Sequence, residues 1–277
     1  MIVGAEAALE PTLLSARRRV LRRVGDWAPP VVVAVGFIIL WQAAVTVFDI
    51  KRFIMPAPFA IGGAFGTYFS EIWAAASYTA TEAVGGLIIG VTAGLLVGLL
   101  TARSIGVRES LLPFAIAINS IPIIAFAPIM NNWFGLANPM SKMAISGLLV
   151  FFPVMINTVR GLTSVDPAAL ELMRAAAASD LTVLRKVRIP SALPYIFTAL
   201  KVAATLATIG AIVGEYFGAP RASLGQYIAQ HAAYFNFERS WAAIVLAAAI
   251  GIGLYTLVLL AERLMMPWHS SFRAVEV

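Results

Sequence analysis

The chain has 277 residues, of which 60% are apolar and only 12% are charged. Soluble domains carry about 25% charged residues, so the mean hydropathy of +0.87 excludes an ordinary water-soluble domain. The absence of cysteine from the sequence excludes a disulfide framework, a thiolate metal site and a cysteine nucleophile. The composition therefore indicates a membrane protein.

Six apolar stretches are long enough, or nearly so, to cross a bilayer, which takes about 20 helical residues. We predict spans at about 30–48, 78–100, 111–130, 143–159, 192–216 and 241–261. The fold class is thus all-α, a polytopic membrane protein with six transmembrane helices. The predicted organisation is an N-terminal tail (1–29), a transmembrane domain (30–265) with a long polar loop (160–190), and a C-terminal tail (266–277).

The lysine and arginine counts give an orientation, because cytoplasmic segments carry the excess of these residues. Fourteen of the 20 basic residues lie on the side of the N-terminus: Arg17, Arg18, Arg19, Arg22, Arg23, Arg103, Arg108, Arg160, Arg174, Arg185, Lys186, Arg188, Arg263 and Arg273. Five lie in segments on the other side: Lys51, Arg52, Lys142, Arg221 and Arg239. Both termini and the loop 160–190 are therefore predicted to be cytoplasmic. The net charge of +6 reflects this orientation and not a nucleic-acid partner.

Small residues predict one close helix contact. Gly86, Gly90, Gly94 and Gly98 follow one another at four-residue spacing and share one face of the second span. Helices in lipid associate through such faces, because small residues let two backbones approach. We interpret this stripe as helix packing without a direct role in function.

Prolines interrupt the third span. Pro113, Pro122 and Pro128 remove backbone donors and permit kinks in this helix. Interrupted helices often line the pathway of a transporter. A kinked packing helix explains the same prolines equally well.

Energy-coupling and catalytic motifs are missing from the sequence. It has no G-x-x-x-x-G-K-[ST] phosphate loop, no G-x-S-x-G elbow and no H-E-x-x-H helix. His231 and His269 stand alone, without metal-ligand spacing. An enzyme is therefore a poor interpretation of this chain.

The loop 160–190 predicts a short amphipathic helix. Asp166 and Pro167 form a helix start, with a side-chain acceptor at the N-cap and a ring suited to the first position. Leu170, Met173 and Ala177 then form an apolar stripe. Such a helix either lies on the membrane surface or docks into a groove of a cytoplasmic partner.

A second helix is predicted after Ser179 and Asp180, from Leu181 to about Arg188. We expect Pro190 to end it, because a residue before proline is disfavoured in the helical region. Ser191 and Pro194 would then open the fifth span.

At this loop the sequence resembles a known family. The segment ELMRAAAASDLTVLRKVRIPSALPYIFTALK resembles the EAA loop in the membrane subunits of bacterial ABC importers. In that loop a Glu, two small residues and a Gly precede a short linker and a hydrophobic-Pro ending. The resemblance assigns Glu171 to the acidic position, places Met173 and Arg174 after it, and matches Ile189-Pro190 to the ending. Its implied role is docking of an ATPase subunit, with Leu170 in the same helix.

One position departs from the family, since Ala177 stands where Gly is usual. A left-handed conformation there costs alanine roughly 1 kcal/mol. We therefore expect a straighter turn, or a turn set by Ser179 and Asp180 instead.

The resemblance covers about residues 50 to 265. MPAP at 55–58, the segment from Ile121 to Gly135, and AIVGEYFG at 211–218 resemble permeases of the nitrate, sulfonate and taurine group. Thr81-Glu82 and the segment GAIVGEYFGAPRASLGQYI look closest to permeases for riboflavin and for the pyrimidine precursor of thiamine. A permease for an alkanesulfonate, taurine or nitrate is the alternative substrate class.

The resemblance implies that other proteins supply ATP hydrolysis and substrate capture. A separate cytoplasmic ATPase, in two copies, would bind ATP and Mg, so that this chain itself holds no cofactor. A separate extracytoplasmic binding protein would capture the substrate, and a permease homodimer in the lipid of the bacterial cytoplasmic membrane would enclose the pathway.

Polar groups within the spans are candidates for the pathway or its gate, because charges are costly there. They are Glu82, Asn119, Lys201 and Glu215. Lys201 either lines the pathway or forms an ion pair. Two acids and one base disfavour a dedicated anion pore and suit a neutral or zwitterionic heterocycle. From another class, an ATP-independent secondary transporter or channel remains the alternative.

Overall fold

Helices build the fold, as the composition predicts. A computed structural model of the protein describes residues 28–219 and 223–267, and these contain no strand. The predicted tails, 1–29 and 266–277, lie almost entirely outside these residues. The chain divides into two compact units, Met1–Gly63 and Ala64–Val277.

The first unit contains the first predicted span. Helix α1 covers Ala28–Val47 and is apolar enough to cross a membrane. A connecting segment leads to α2, Pro58–Thr67, which begins in this unit. The side-chain oxygen of Gln42 accepts a hydrogen bond from the backbone N–H of Phe59 at 3.1 Å. This bond ties the start of α2 to α1.

The second unit holds the remaining helices. They are α3 (Phe69–Ala102), α4 (Ile105–Asn119), a 3₁₀ turn (Ile123–Phe126), α5 (Ala127–Phe134), α6 (Pro139–Thr163), α7 (Pro167–Ala175), α8 (Asp180–Val183), α9 (Ile189–Tyr216), α10 (Leu224–Ala233) and α11 (Phe237–Met265). Among the described residues, five helices are long and apolar enough to span a membrane, and the bent pair around the 3₁₀ turn is the sixth candidate.

Close backbone approach defines the centre of the second unit. The four glycines of the stripe, 86, 90, 94 and 98, are buried in α3 and face α6. A Cβ atom at Gly90 would lie 2.4 Å from the carbonyl oxygen of Gly147, and one at Gly94 would lie 2.9 Å from that of Phe151. Only glycine leaves room for α6 at this distance.

Helix α6 also packs against α9, and α11 packs against α9 in turn. The buried cluster between α6 and α9 pairs Val150 and Val154 with Ala199, Ala203 and Ala207. Large side chains of one helix thus lie against small ones of the other. This arrangement lets α6 and α9 pack closely.

The third predicted span is not one helix. Helices α4 and α5 are bent by 85° at the break between them. Pro113 lies inside α4 without interrupting it, and Pro128 lies in the first turn of α5. The break falls at Pro122, which precedes the 3₁₀ turn and disfavours a helical conformation at Ile121. The interruption that the prolines predict in the span at about 111–130 is therefore confirmed, and it falls at the second of them.

The first loop helix forms as predicted. The Asp166 carboxylate accepts a hydrogen bond from Ala168 N–H at 3.0 Å, and α7 follows from Pro167. The straighter turn expected at Ala177 is wrong, because Ala177 has a left-handed conformation with φ +49°. Ala178 N–H donates to Met173 C=O at 3.0 Å and Ala177 N–H to Arg174 C=O at 2.9 Å, which is a Schellman motif. These bonds offset the conformational cost of alanine.

The second loop helix does not end at Pro190. Ser179 accepts a hydrogen bond from Thr182 N–H at 3.4 Å, and one helix then runs from Asp180 to Tyr216. A π turn over Leu184–Arg188 precedes the proline, with Ile189 N–H bonded to Leu184 C=O. This wider turn accommodates a ring that an ordinary helix would reject. Pro194 likewise lies inside α9 and does not open it.

We expect Gly90→Ala to lower the melting temperature of the purified protein. The added methyl group would overlap Gly147 C=O and Val150, and such overpacking costs typically 1–3 kcal/mol. The matched control is Gly253→Ala in α11, where a Cβ meets nothing within 4 Å. Thermal unfolding in one detergent measures both variants. Equal melting temperatures would contradict the close contact between α3 and α6.

Candidate functional site

Helix α7 offers an exposed surface at the end of the bundle where α6 ends and α9 begins. Glu171 and Arg174 are exposed, whereas Leu170 and Met173 are half-buried. Leu172 is 70% exposed, although it lies outside the predicted apolar stripe. A capped start and a Schellman end hold this short helix in a fixed conformation. It presents an apolar side chain between two opposite charges, a combination that suits a protein groove.

The other end of α9 carries a buried polar network, which begins at Glu215. The Glu215 carboxylate accepts a hydrogen bond from the Thr79 hydroxyl at 2.6 Å and another from Gly225 N–H at 2.7 Å. Thr79 in turn accepts from Leu224 N–H at 2.9 Å. Glu215 is fully buried. It therefore binds α3 and the start of α10 to α9.

Glu82 joins this network from α3. It is fully buried, and its carboxyl group lies against that of Glu215 without a well-formed hydrogen bond among the described residues. Lys142 interacts electrostatically with both carboxyl groups. Two adjacent buried carboxyl groups disfavour a negative charge on both at once, and the ammonium group of Lys142 stabilises a negative charge on either of them.

Lys142 was assigned by its sequence to an outer connecting segment, and this assignment is wrong. It lies in α6 with no exposed surface and donates to the carbonyl oxygen of Leu136 and to the Asn131 side-chain oxygen at 3.3 Å. Asn131 in α5 also donates to Phe217 C=O at 3.4 Å. The network thus includes α5, the second half of the broken span.

Lys201 forms an ion pair in another part of the bundle. Its ammonium group lies 2.8 Å and 3.0 Å from the two carboxylate oxygens of Glu262 in α11. The two side chains are 22% and 8% exposed. This pair links α9 to α11, and a role of Lys201 in the pathway stays a prediction.

Asn119 lies apart from these charges. It is the last residue of α4, immediately before the break, and it is exposed. It lines a small recess with Ile121 and Phe126. The four predicted pathway residues thus divide into one joined pair, Glu82 and Glu215, and two separate positions.

Helix α10 contains one histidine that can titrate. Burial lowers the pKa of His231 below its ordinary value, and the positive charge of Arg239 lowers it further. The imidazole ring lies 4.2 Å from the ring of Tyr227. We expect His231 to be neutral at pH 7, because its pKa lies below an ordinary value of about 6.5.

Sequence reasoning missed the partners of the intramembrane charges. Lys142 lies near the start of its span and Glu262 near the end of the last one, so both were counted outside the apolar core. Thr79 and Asn131 are uncharged and gave no signal. A buried charge needs a polar or charged partner, and this rule predicts such a partner for Glu215 and for Lys201.

Membership of a transporter family gives the class of this chain. The chain belongs to the family of binding-protein-dependent transport system inner membrane components, whose family model matches residues 90–267. It is the permease subunit of an ABC importer, a class that is not catalytic itself. Family membership favours this class over an ATP-independent transporter or channel.

Several relatives carry names with a substrate, and three of them represent the candidate classes. The riboflavin transport system permease protein RibX of Chloroflexus aurantiacus is 33% identical over 96% of this chain and 100% of its own length. The formylaminopyrimidine transport permease protein ThiX of Halalkalibacterium halodurans is 34% identical over 67% of this chain and 73% of its own length. The putative aliphatic sulfonates transport permease protein SsuC of Escherichia coli is 30% identical over 92% of this chain and 96% of its own length.

A solved structure has the same fold. The crystal structure of an amino acid ABC transporter with histidines matches with a TM-score of 0.58 and 19% identity. The match covers 72% of this chain and 96% of that chain. At this identity the likeness concerns the fold alone.

We expect Glu215→Ala to destabilise the protein by about 3–5 kcal/mol, because breaking a buried charge network leaves uncompensated groups. Thr79 and the Gly225 N–H would lose their acceptor. Glu109→Ala, at an exposed glutamate of α4, serves as the control and should change the stability by less than about 0.5 kcal/mol. Thermal unfolding in detergent measures both. Two equally stable variants would show that the network contributes nothing.

Proposed function

We propose that this permease carries a small nitrogen heterocycle, either riboflavin or a pyrimidine precursor of thiamine. The observation that carries the proposal is the alignment with RibX, which extends over nearly the whole of both chains. The likeness to ThiX supports the same substrate class. The charges agree with a neutral or zwitterionic substrate, since Lys201 is paired with Glu262, and Lys142 is fully buried and donates to Leu136 C=O and Asn131.

A permease for an alkanesulfonate, taurine or nitrate is the second candidate. The likeness to SsuC supports it, because that alignment also covers most of both chains. Alkanesulfonates and nitrate are anions, whereas taurine is a zwitterion at neutral pH. An anionic substrate needs unpaired cationic groups along the pathway, which neither Lys142 nor Lys201 supplies.

The proposed assembly contains two copies of this chain, two cytoplasmic ATPase subunits and one extracytoplasmic binding protein. ATP and Mg would be held by the ATPase subunits. Helix α7 would dock on the ATPase from the cytoplasmic side, with both termini of the chain on that side. The exposed positions of Glu171, Leu172 and Arg174 support this docking.

The network around Glu215 is proposed to act in the outer gate. One continuous helix, Asp180–Tyr216, runs from the docking loop to this network. A movement of α7 and α8 on ATP binding would therefore be transmitted along α9. The polar contacts of Glu215 to α3 and α10 would be remade when the gate opens, which is the rigid-body logic of alternating access.

Substrate uptake by the native host tests the proposed function. The gene is disrupted, and the uptake of labelled riboflavin, formylaminopyrimidine and taurine is measured in separate assays. We expect the uptake of riboflavin or of the pyrimidine to be lost and that of taurine to be retained. Complementation with the intact gene is the control. Loss of taurine uptake alone would overturn the heterocycle proposal and support the sulfonate class.

We expect Glu171→Lys to weaken association with the ATPase about tenfold, because like charges brought together at an interface disfavour binding. Membrane insertion should be unchanged, since Glu171 is exposed outside the spans. Glu109→Lys reverses a charge on exposed α4 and serves as the control. Co-purification of the ATPase with each variant gives the result. Equal recovery with both variants would exclude α7 as the docking element.

A further inference from the structure

Two cavities lie beside the loop that contains α7 and α8, and they share two arginines. The larger has a volume of about 530 Å³ and is lined by Arg103, Asp180 and Arg188 among others. The smaller, about 300 Å³, is lined by Arg103, Arg108 and Arg188 and by Leu170 of α7. Three arginines thus surround one region at the junction of α3, α4 and the loop.

The positive charge of these arginines is not neutralised by the protein. None of the three forms an ion pair within residues 28–219 and 223–267. Asp180 is the one acidic residue that lines either cavity. The lining therefore has a formal charge of +2.

The start of α4 adds hydrogen-bond donors to the smaller cavity. Ser104 has an extended N-cap conformation but makes no side-chain cap, and the first helical bond is Arg108 N–H to Ser104 C=O at 3.0 Å. The backbone N–H groups of the first turn are therefore free of helical partners. Ile105 in this turn lines the cavity, and a Cβ at Gly106 would meet nothing within 4 Å. An approaching ligand has open access to this helix end.

We propose that Arg103, Arg108, Arg188 and the first turn of α4 form a binding site for a phosphate-bearing anion. Guanidinium groups bind phosphate oxygens with two parallel hydrogen bonds. A helix N-terminus adds free N–H groups and a partial positive charge. Neither the arginines nor the helix N-terminus depends on the transported substrate. The anion site can therefore be tested whatever substrate the permease carries.

Two sources could supply the anion. Arg103 lies where α3 ends and Arg108 in the first turn of α4, at the ends of apolar helices, so an anionic phospholipid headgroup can reach them from the membrane surface. Inorganic phosphate can enter from the aqueous side. In either case the bound anion would contact α4 and, from the loop, Arg188 beside Leu170 of α7, and it would brace the loop against the bundle.

Native mass spectrometry of the purified full-length chain tests the site. The protein is delipidated in detergent and then titrated with phosphatidylglycerol, with zwitterionic phosphatidylcholine and with inorganic phosphate. The variants are Arg103→Gln alone and the triple variant Arg103→Gln, Arg108→Gln, Arg188→Gln. Arg185→Gln is the matched control, because Arg185 is exposed on the same loop and lines neither cavity.

We expect the wild type and Arg185→Gln to bind phosphatidylglycerol, and the triple variant to bind it about 100-fold more weakly. Arg103→Gln should weaken binding about fivefold, and it keeps the test valid if the triple variant does not fold. Selective binding of inorganic phosphate that is lost in the same variants would support the site with a soluble ligand. The proposal would be overturned if Arg103→Gln and Arg185→Gln bound the lipid equally. It would also be overturned if the wild type bound phosphatidylglycerol no better than phosphatidylcholine and did not bind phosphate.

Discussion

The backbones of α3 and α6 approach each other so closely that Gly90 leaves no room for a side chain. In lipid no hydrophobic force drives two helices together, because the acyl chains are as apolar as the side chains. The association must come from packing, and Gly86, Gly90, Gly94 and Gly98 permit it by bringing the carbonyl groups of α6 within van der Waals distance of α3. Helix α9 then packs on α6 through small alanines. The buried network around Glu215 and the ion pair of Lys201 both involve helices of this core.

Burial of charge is the second constraint, and it determines what the core can do. A charge inside the bundle needs a partner, so each one connects helices that packing alone would leave free to slide. Glu215 connects α9 with α3 and α10, and Lys142 extends the network to α5. The pair of Lys201 and Glu262 connects α9 with α11. Because α9 takes part in both networks, a displacement of α9 would disturb its contacts with α3 and α10 and its ion pair with α11.

The loop at the far end of α9 is rigid for local reasons. Asp166 caps α7, and a Schellman motif ends it even though alanine replaces the glycine usual at that turn. The π turn lets the helix continue through Pro190, so α8 and α9 form one rod. A docked partner that moves this loop would therefore move the rod, and with it Glu215. The arginines beside the loop lie at the point where such a movement would begin.

Hydropathy, spacing and local motifs are properties of short segments, and they predicted the class of fold, the number of candidate spans, the glycine face, the Asp166 cap and the family. The sequence did not predict where the third span breaks, since each of its three prolines could interrupt a helix. In the structure the break falls at Pro122. Sequence reasoning also misjudged Pro190 and Ala177, where a π turn and a Schellman motif compensated the local cost. The partners of Glu215 and Lys201 were decided only by the tertiary structure, because Thr79, Lys142 and Glu262 lie far from them in sequence and meet them only when the helices pack.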